Sequence, residues 1–389
     1  MKKNKLLQTS YYLLFVFFFY LFIKDSITNF IDNGIEDTGS TSNKVYYVIG
    51  FIIVSLVYLV VHKNWPMLKL DKSIIRYNLF IIFFTLFHSI FTFPLKGIAS
   101  VFLFPAPLII FLFVRNIVID LYENRTCIVI SVVLFLALSV VYLIEFQQLT
   151  VFEIELHNIY AYVILLLLPI VLCSSDKKVR IVGIIITSLV IVTSFKRGGL
   201  IAFLLGFIIY LQIIFKLKQN NGVWNWIGFL LIVVLFLFVL FKFDSLVGNV
   251  MGSRFVEQEG DYSSGRIEIY QKTIQMVANS SPMGILFGHG YNAVARDSIN
   301  QMAAHNDFLE IFYDYGLFGF LVFLIMIVQM IKRAFVLVKR SSPYAASYSY
   351  AVCTFIVLSS VSTIIRIPMF SLCAFYTFGY LSGQTYDYR

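Results

Sequence analysis

Long apolar runs, separated by short polar connections, recur along the whole chain. A helix that crosses the hydrocarbon core of a bilayer needs about 20 mostly apolar residues, because the core is about 30 Å thick. Such runs predict about twelve spanning helices, near residues 6–24, 45–61, 74–93, 98–119, 126–144, 159–173, 179–193, 199–215, 223–243, 315–331, 345–362 and 367–383. The pattern therefore predicts an all-α polytopic integral membrane protein, with residues 1–389 forming a single membrane domain.

Composition favours the same class of protein. The 389 residues are 59% hydrophobic and 13% charged, with a mean hydropathy of +0.85. A soluble fold of this length could not bury that much apolar surface, so the lipid bilayer is the expected solvent. The net charge of +9 would suit nucleic acid only if it formed a basic patch on a soluble face. Here the basic residues are scattered between apolar runs, and no nucleic-acid partner is predicted.

The distribution of basic residues predicts the orientation. Cytoplasmic connections carry an excess of Lys and Arg in membrane proteins. If both termini are cytoplasmic, most of the 30 Lys and Arg residues fall before the first span, after the last one, or in the inner connections at 63–76, 115–125, 177–180, 216–218 and 332–340. The N- and C-termini are therefore predicted to be cytoplasmic.

One connection is much longer than the others and lies on the predicted outer face. It covers residues 244–306, between the ninth and tenth spans, and connections of this length are usually functional or disordered. Residues 266–278 place apolar side chains at helical spacing, which predicts a membrane-surface helix: Ile267, Tyr270, Ile274 and Val277. A second short helix is predicted from residue 306 to residue 315, ended by Gly316, with Asp307, Glu310 and Asp314 on one stripe.

Two basic residues in a short outer connection, Lys196 and Arg197, break the orientation rule that most of the chain follows. Because an Arg at membrane depth costs roughly 2.5 to 3.5 kcal/mol, a compensating partner is expected. Gly198 and Gly199 follow and would let the backbone approach an anion at a helix N-terminus. The alternatives are an Arg that contacts lipid headgroups or pairs with an acidic residue. Arg266, at the start of the surface helix, favours an anion site, and two such positions suit a diphosphate.

Two histidines, His289 and His305, lie in the long connection. Near neutral pH either could act as a general base, although packing or capping roles are equally consistent with their spacing. Three acidic residues (Glu257, Glu259 and Asp261) could hold a divalent cation, but a solvated turn is the favoured interpretation. The sequence has no Walker loop, no G-x-S-x-G motif and no paired zinc ligands. We predict no metal and no cofactor.

Three passages carry a resemblance to a known family. They are S-F-K-R-G-G-L (194–200), S-S-G-R-I-E-I-Y (263–270) and H-N-D-F-L-E-I-F-Y-D-Y-G-L-F-G (305–319), the last preceded by L-F-G-H-G-Y (286–291). In their order, and in their position around a large outer loop, they resemble the O-antigen ligase and polysaccharide polymerase (Wzy) superfamily. The resemblance implies a metal-independent, inverting glycosyltransferase with a GT-C-like membrane architecture. Its donor would be an undecaprenyl diphosphate-linked sugar.

The resemblance also implies roles for individual residues. Arg197 and Arg266 would bind the diphosphate leaving group, and His305 would position or deprotonate the acceptor hydroxyl. Whether Lys196 shares the anion stays open, and His289 is a rival for the base. Further site candidates come from the same passages: Tyr270, Asn306 and Glu310.

The leading functional prediction is a polymerase that joins lipid-linked repeat units of O-antigen or capsule at the outer, periplasmic face of the bacterial inner membrane. A ligase that transfers glycan to lipid A core or to protein is the nearest alternative. The sequence favours a polymerase because no distinctive basic segment marks a docking site for an acidic lipid A core. A lipid-linked glycan flippase is the alternative from another class. The expected partners are the lipid-linked donor and acceptor, with a chain-length regulator and a flippase as further candidates.

Overall fold

The computed structural model describes residues 2–33, 42–61, 69–91, 105–121, 125–148, 160–194, 196–217, 266–298 and 303–387. Every regular element in these ranges is a helix. In chain order they are α1 (Lys2–Asn33), α2 (Ser42–Val61), α3 (Lys69–Phe91), α4 (Ala106–Asp120), α5 (Thr126–Gln148), α6 (Ala161–Leu172), α7 (Lys177–Ser194), α8 (Arg197–Leu217), α9 (Arg266–Ala278), α10 (Pro282–Phe287), α11 (Ala293–Asp297), α12 (Asp307–Lys339), α13 (Ala345–Val361) and α14 (Pro368–Gln384).

Several of these helices have the length and composition of membrane spans. Four of the described helices are long and apolar enough to cross a bilayer: Lys5–Ile27, Thr126–Glu145, Arg197–Leu217 and Asp307–Lys339. Shorter apolar helices add Tyr46–Val61, Ala161–Leu172 and Ala345–Val361. These helices support an integral membrane protein. The predicted span at 223–243 lies outside the described residues, and the total of twelve stays a prediction.

Local sequence signals account for where several helices begin. Asn306 caps α12, because its side-chain oxygen accepts hydrogen bonds from the backbone N–H groups of Phe308 (3.0 Å) and Leu309 (3.2 Å). Helix α14 begins at Pro368. A backbone N–H at the first position of a helix has no intrahelical acceptor, so proline, which has no N–H, is well suited to this position. Helix α9 has the bounds that its apolar spacing predicts, Arg266–Ala278.

The packing face of α9 differs in part from the prediction. Tyr270 and Val277 are half-buried, and Thr273 is buried between them. Ile267 and Ile274, which were expected to share the apolar face, are instead 58% and 54% exposed. The helix packs through the Tyr270 side of the predicted stripe, and the two isoleucines remain available to lipid.

A single cluster of buried apolar side chains connects most of the helices. Helix α14 packs against α4 and α6, α8 against α13, α12 against α3 and α13, and α1 against α2 and α5. Buried tyrosines in this core bond to other hydroxyl groups, as where the Tyr12 hydroxyl lies 2.7 Å from Ser131 Oγ and 2.6 Å from the Tyr376 hydroxyl. Large apolar side chains on the outside of the bundle are exposed, as expected for surfaces that face lipid.

A buried ion pair fastens one end of the bundle. Arg115 Nε, near the end of α4, lies 2.8 Å from Asp71 Oδ2, near the start of α3, and the two side chains are 1% and 0% exposed. The hydroxyl of Ser382, near the end of α14, donates to the same carboxylate. The guanidinium also donates to Asn116 Oδ1 (2.8 Å) and lies over the Tyr386 ring. Three helices are therefore joined at this end, opposite the starts of α12 and α14.

We expect Arg115→Ala to destabilise the protein by about 3–5 kcal/mol, because Asp71 would lose the guanidinium with which it forms a buried ion pair. The expected signs are a much lower midpoint of thermal unfolding and a lower yield of monodisperse protein in detergent. Arg340→Ala, at an exposed arginine, is the control and should change neither. A wild-type midpoint for Arg115→Ala would show that the ion pair contributes little.

Candidate functional site

A break in α12 organises the other end of the bundle. Gly316, predicted to end the short helix before the span, has φ 66° and ψ −169°, values open essentially only to glycine. A Cβ at Gly316 would lie 2.4 Å from the carbonyl oxygen of Leu286. A Cβ at Gly288 (φ 79°) would lie 2.3 Å from the carbonyl oxygen of Asp314. The backbones of the two segments therefore touch, and only glycine fits at either position.

The touching segment also supplies hydrogen bonds to the broken helix. Carbonyl groups in the last turn before a break lose their helical partners. Here the carbonyls of Tyr313 and Asp314 accept the N–H groups of His289 (3.1 Å) and Gly290 (2.8 Å). The L-F-G-H-G-Y passage is thus fixed to the break through its backbone.

The acidic stripe of α12 faces inward. Asp307, Glu310 and Asp314 are 1%, 3% and 4% exposed. The Asp307 carboxylate accepts the backbone N–H groups of Ile364 and Ile365, each at 3.1 Å, in the connection between α13 and α14. Buried backbone N–H groups outside regular helices need acceptors of this kind. Asp307 therefore fixes this connection against the start of α12.

Asp314 fixes a second segment in the same way. Its carboxylate accepts the backbone N–H groups of Asn292 (2.9 Å) and Val294 (3.1 Å), at the start of α11. Apolar side chains of α9, α11 and α12 form a small cluster beside these bonds, built on Ala293, Val294, Ala304 and Tyr313. The described part of the long connection is therefore ordered and packed on α12.

His305 is held by its backbone in an uncommon conformation. Its φ is 52°, in the left-handed region that few residues other than glycine adopt. Its N–H donates to Glu310 Oε1 (3.2 Å), and its carbonyl accepts from the Tyr270 hydroxyl (3.4 Å). Tyr270 and the Asn306 side chain both donate to the carbonyl of Ser360, at 3.3 Å and 3.0 Å. His305 directly precedes Asn306, the cap of α12.

Positive charges surround His305. Burial, and then the charges of Arg266, Arg366 and Lys196, lower the pKa of its imidazole to about 4. The ring is therefore neutral at physiological pH. The structure brings two predicted anion-binding residues, Lys196 and Arg266, into the electrostatic neighbourhood of the predicted base.

Arg366 belongs to the same neighbourhood and was missed in the sequence. It lies in the connection between α13 and α14, where its Nε is 3.7 Å from Glu310 Oε2 and its Nη1 donates to Asn292 Oδ1. A signal for it does exist. The predicted topology puts Arg366 on the outer face, so it breaks the orientation rule as Lys196 and Arg197 do.

Arg197 is the first residue of α8, but the two glycines after it do not have the predicted role. A Cβ at Gly198 would lie 2.8 Å from Val361 Cγ2 and 3.1 Å from the Tyr162 hydroxyl, and one at Gly199 would lie 3.3 Å from the Tyr162 ring. Neighbouring side chains fill the space expected for a ligand, and the glycines allow close packing of α8. The Tyr162 hydroxyl also interacts with Arg266, so this tyrosine lies between the start of α8 and Arg266.

His289 has different surroundings. Its ring stacks on Tyr313 with centroids 4.4 Å apart, and its Nε2 lies 2.8 Å from Ser280 Oγ. Burial is the main cause that lowers the pKa of His289, and the charged groups acting on it include Asp297 and Arg296. The ring thus packs between the end of α9 and α12, which matches the structural alternative for this residue.

A cavity of about 120 Å³ lies against the first turns of α12. The three carboxylates of the acidic stripe and Arg366 contribute to its wall. The acidic turn at Glu257, Glu259 and Asp261 is outside the described residues. Among the residues that are described, no group of three or more His, Cys, Asp or Glu side chains is arranged to hold a metal ion, and the metal-free reaction stays a prediction.

Comparison with known protein families gives a match to part of the chain. The model of the family described as O-antigen ligase matches residues 182–324, from within α7 to the middle of α12. This region contains Lys196, Arg197, Arg266, His289 and His305. None of the curated proteins compared with the chain matches it. Members of the matched family are glycosyltransferase-like enzymes, either ligases or polymerases. The match supports membership of the O-antigen ligase and Wzy superfamily, as the motifs predicted.

Proposed function

We propose that this protein is a glycosyltransferase that joins undecaprenyl diphosphate-linked repeat units into O-antigen or capsule polymer. The reaction would take place at the outer face of the bacterial inner membrane. The observation that carries the proposal is that the charges of Lys196, Arg266 and Arg366 all act on the half-buried imidazole of His305, whose backbone is held by Glu310 and Tyr270. A diphosphate is the ligand whose charge best matches such a group of cations, and a hydroxyl proton is what a neutral imidazole can accept.

The roles follow from where charge develops in the reaction. The acceptor hydroxyl oxygen attacks the anomeric carbon as the bond to the diphosphate oxygen breaks, so the bonding electrons leave with the diphosphate. The acceptor proton passes to His305. Arg197, Arg266 and Lys196 stabilise the leaving group, and one such preorganised donor is worth about 2.7–4 kcal/mol in the transition state. Inversion follows because attack and departure occur on opposite faces of the sugar.

Donor binding would also change the basicity of His305. In the free protein the three cations oppose its protonation, and an imidazole with a pKa of about 4 is a weak base. A bound diphosphate brings negative charge that offsets those cations. The pKa of His305 should then rise toward its ordinary value, so that the base becomes effective when the donor is in place.

The ligase is the second candidate, and the description of the matched family favours it directly. The donor chemistry of the two enzymes is the same, and the difference lies in the acceptor. A ligase transfers a finished glycan once to lipid A core or to protein, whereas a polymerase uses another lipid-linked repeat unit as the acceptor.

The first experiment supplies the purified protein with lipid-linked repeat units alone. We expect a ladder of products that differ by one repeat unit on a gel. A single transfer that needs added lipid A core would assign the protein as a ligase. Movement of the repeat unit across vesicles without any transfer would assign it as a flippase and contradict the glycosyltransferase proposal.

The second experiment tests the assigned residues. We expect Arg197→Ala and Arg266→Ala each to lower kcat by about 10²–10³-fold, and His305→Ala to lower it by about 10²–10⁴-fold. Protein levels in the membrane should stay at the wild-type level. Lys272→Ala is the matched control for Arg266, since Lys272 lies on the same helix, is 47% exposed and pairs with Glu268.

His289→Ala separates the two histidines. Its ring packs away from the group of cations, so we expect its loss to affect stability more than the rate of transfer. Near wild-type activity in His305→Ala together with an inactive, well-folded His289→Ala would show that the base is assigned to the wrong residue.

The pH dependence provides a third test. His305 acts in its neutral form, so activity should be lost as the pH falls through its pKa. The acid limb of kcat/KM, which reports the free enzyme, should lie near pH 4, and the acid limb of kcat should lie higher because the bound diphosphate raises that pKa. Lys196→Ala should move the limb of kcat/KM upward, since one opposing charge is gone. A wild-type limb near pH 6.5 that is unchanged in Lys196→Ala would contradict the role of these cations, provided that activity recovers on return to pH 7.

A further inference from the structure

The cavity beside α12 has the size of a single six-membered ring. Its volume is about 120 Å³, whereas an engineered protein cavity of about 150 Å³ binds benzene. Its walls come from α3, α12, α14 and the segment at Tyr291. A ligand in this cavity would therefore be one ring, or the terminal ring of a longer chain.

Two polar atoms on the wall lack a hydrogen-bond partner. Glu310 Oε2 and the Tyr77 hydroxyl are buried and have no hydrogen bond to any described residue. The residues themselves are 3% and 1% exposed. Buried polar atoms in proteins are nearly always hydrogen-bonded to protein, water or ligand. The carboxylates of Asp307 and Asp314 are already occupied by backbone N–H groups, so the open positions belong to Glu310 and Tyr77.

The chemistry of the wall selects the class of ligand. A carboxylate oxygen accepts hydrogen bonds and a phenol can donate or accept one, so the ligand must carry hydroxyl or amide N–H groups. An anion would meet the oxygens of three carboxyl groups and one cation, Arg366. A hydrocarbon would leave both polar atoms unsatisfied. Tyr315 and Phe375 provide aromatic wall, which suits the apolar face of a sugar ring.

The position of the cavity links it to the proposed reaction. Glu310 uses Oε1 to hold the backbone N–H of His305 at 3.2 Å, while its Oε2, 3.7 Å from Arg366 Nε, accepts no hydrogen bond at the cavity wall. A ring that is hydrogen-bonded to Oε2 would therefore contact the same side chain, Glu310, that holds the backbone of the proposed base.

We propose that this cavity binds the terminal sugar ring of the acceptor glycan, with Glu310 Oε2 and the Tyr77 hydroxyl as its polar contacts. This proposal rests on the proposed function, which supplies a glycan acceptor. It adds Tyr77 and Glu310 as residues that recognise the acceptor. Glu310 then has two tasks, since it also positions His305.

The test measures binding of free sugars by saturation-transfer NMR to the full-length protein in nanodiscs. The probes are the methyl glycosides of glucose, galactose, mannose, rhamnose, N-acetylglucosamine and N-acetylgalactosamine, with methoxycyclohexane as a ring without hydroxyl groups. We expect saturable binding of at least one glycoside and none of methoxycyclohexane. Tyr77→Phe should weaken that binding roughly threefold to tenfold, and Glu310→Gln roughly tenfold or more.

Tyr350→Phe is the matched control, because Tyr350 is also fully buried but is not part of the cavity wall. It should leave glycoside binding unchanged. Glycoside affinities that are the same in wild type, Tyr77→Phe and Glu310→Gln would overturn the proposal, as would the absence of saturable binding to the wild-type protein.

The failure of this proposal can be told apart from failure of the proposed function. Arg266→Ala should lower the rate of glycosyl transfer by about 10²–10³-fold while keeping the wild-type affinity for the glycoside. Transfer by the wild type with glycoside affinities insensitive to the cavity variants rejects only the cavity. Cavity-dependent glycoside binding in a wild-type protein that transfers nothing rejects only the glycosyltransferase.

Discussion

Backbone N–H groups that leave the regular helices need acceptors, and at one end of this bundle the buried carboxylates of α12 supply them. Asp307 holds the connection between α13 and α14, Glu310 holds His305, and Asp314 holds the start of α11. A membrane protein has little water in its interior to satisfy such groups. Three side chains on one helix stripe thereby fix two segments from other parts of the sequence and the residue just before the helix cap, and the site takes its shape from them.

The same constraint explains why Asp307, Glu310 and Asp314 are conspicuous in the sequence yet hard to interpret there. Their spacing correctly placed them on one side of a helix. An acidic stripe on an amphipathic helix usually faces water, whereas here all three side chains are buried. Their partners are backbone groups in segments 20 to 58 residues away from them or five residues earlier. No local pattern records that pairing.

Other features could be predicted where they depend on neighbouring residues, and could not where they depend on distant ones. The bounds of α9 and the break at Gly316 could be predicted, because each depends on residues a few positions apart. The role of Gly198 was misread, since it depends on Val361 and Tyr162, which come from other helices. Arg366 could have been found from the orientation rule alone. The position of Arg366 beside Glu310 and Asn292 could not be predicted from the sequence, because tertiary packing decides it.

The contact between the segments of Gly288 and Gly316 limits the substitutions that such a protein can accumulate during evolution. Each glycine is required by a backbone atom of the other segment, so no altered side chain elsewhere can make room for a substitution at either position. The backbone geometry where the Gly288 and Gly316 segments touch therefore cannot change by substitution at either glycine. Sequence on the exposed faces of α9 and α10 can drift without disturbing His305. Differences in glycan specificity between relatives would then have to arise from side chains around this backbone contact rather than from a change in the contact itself.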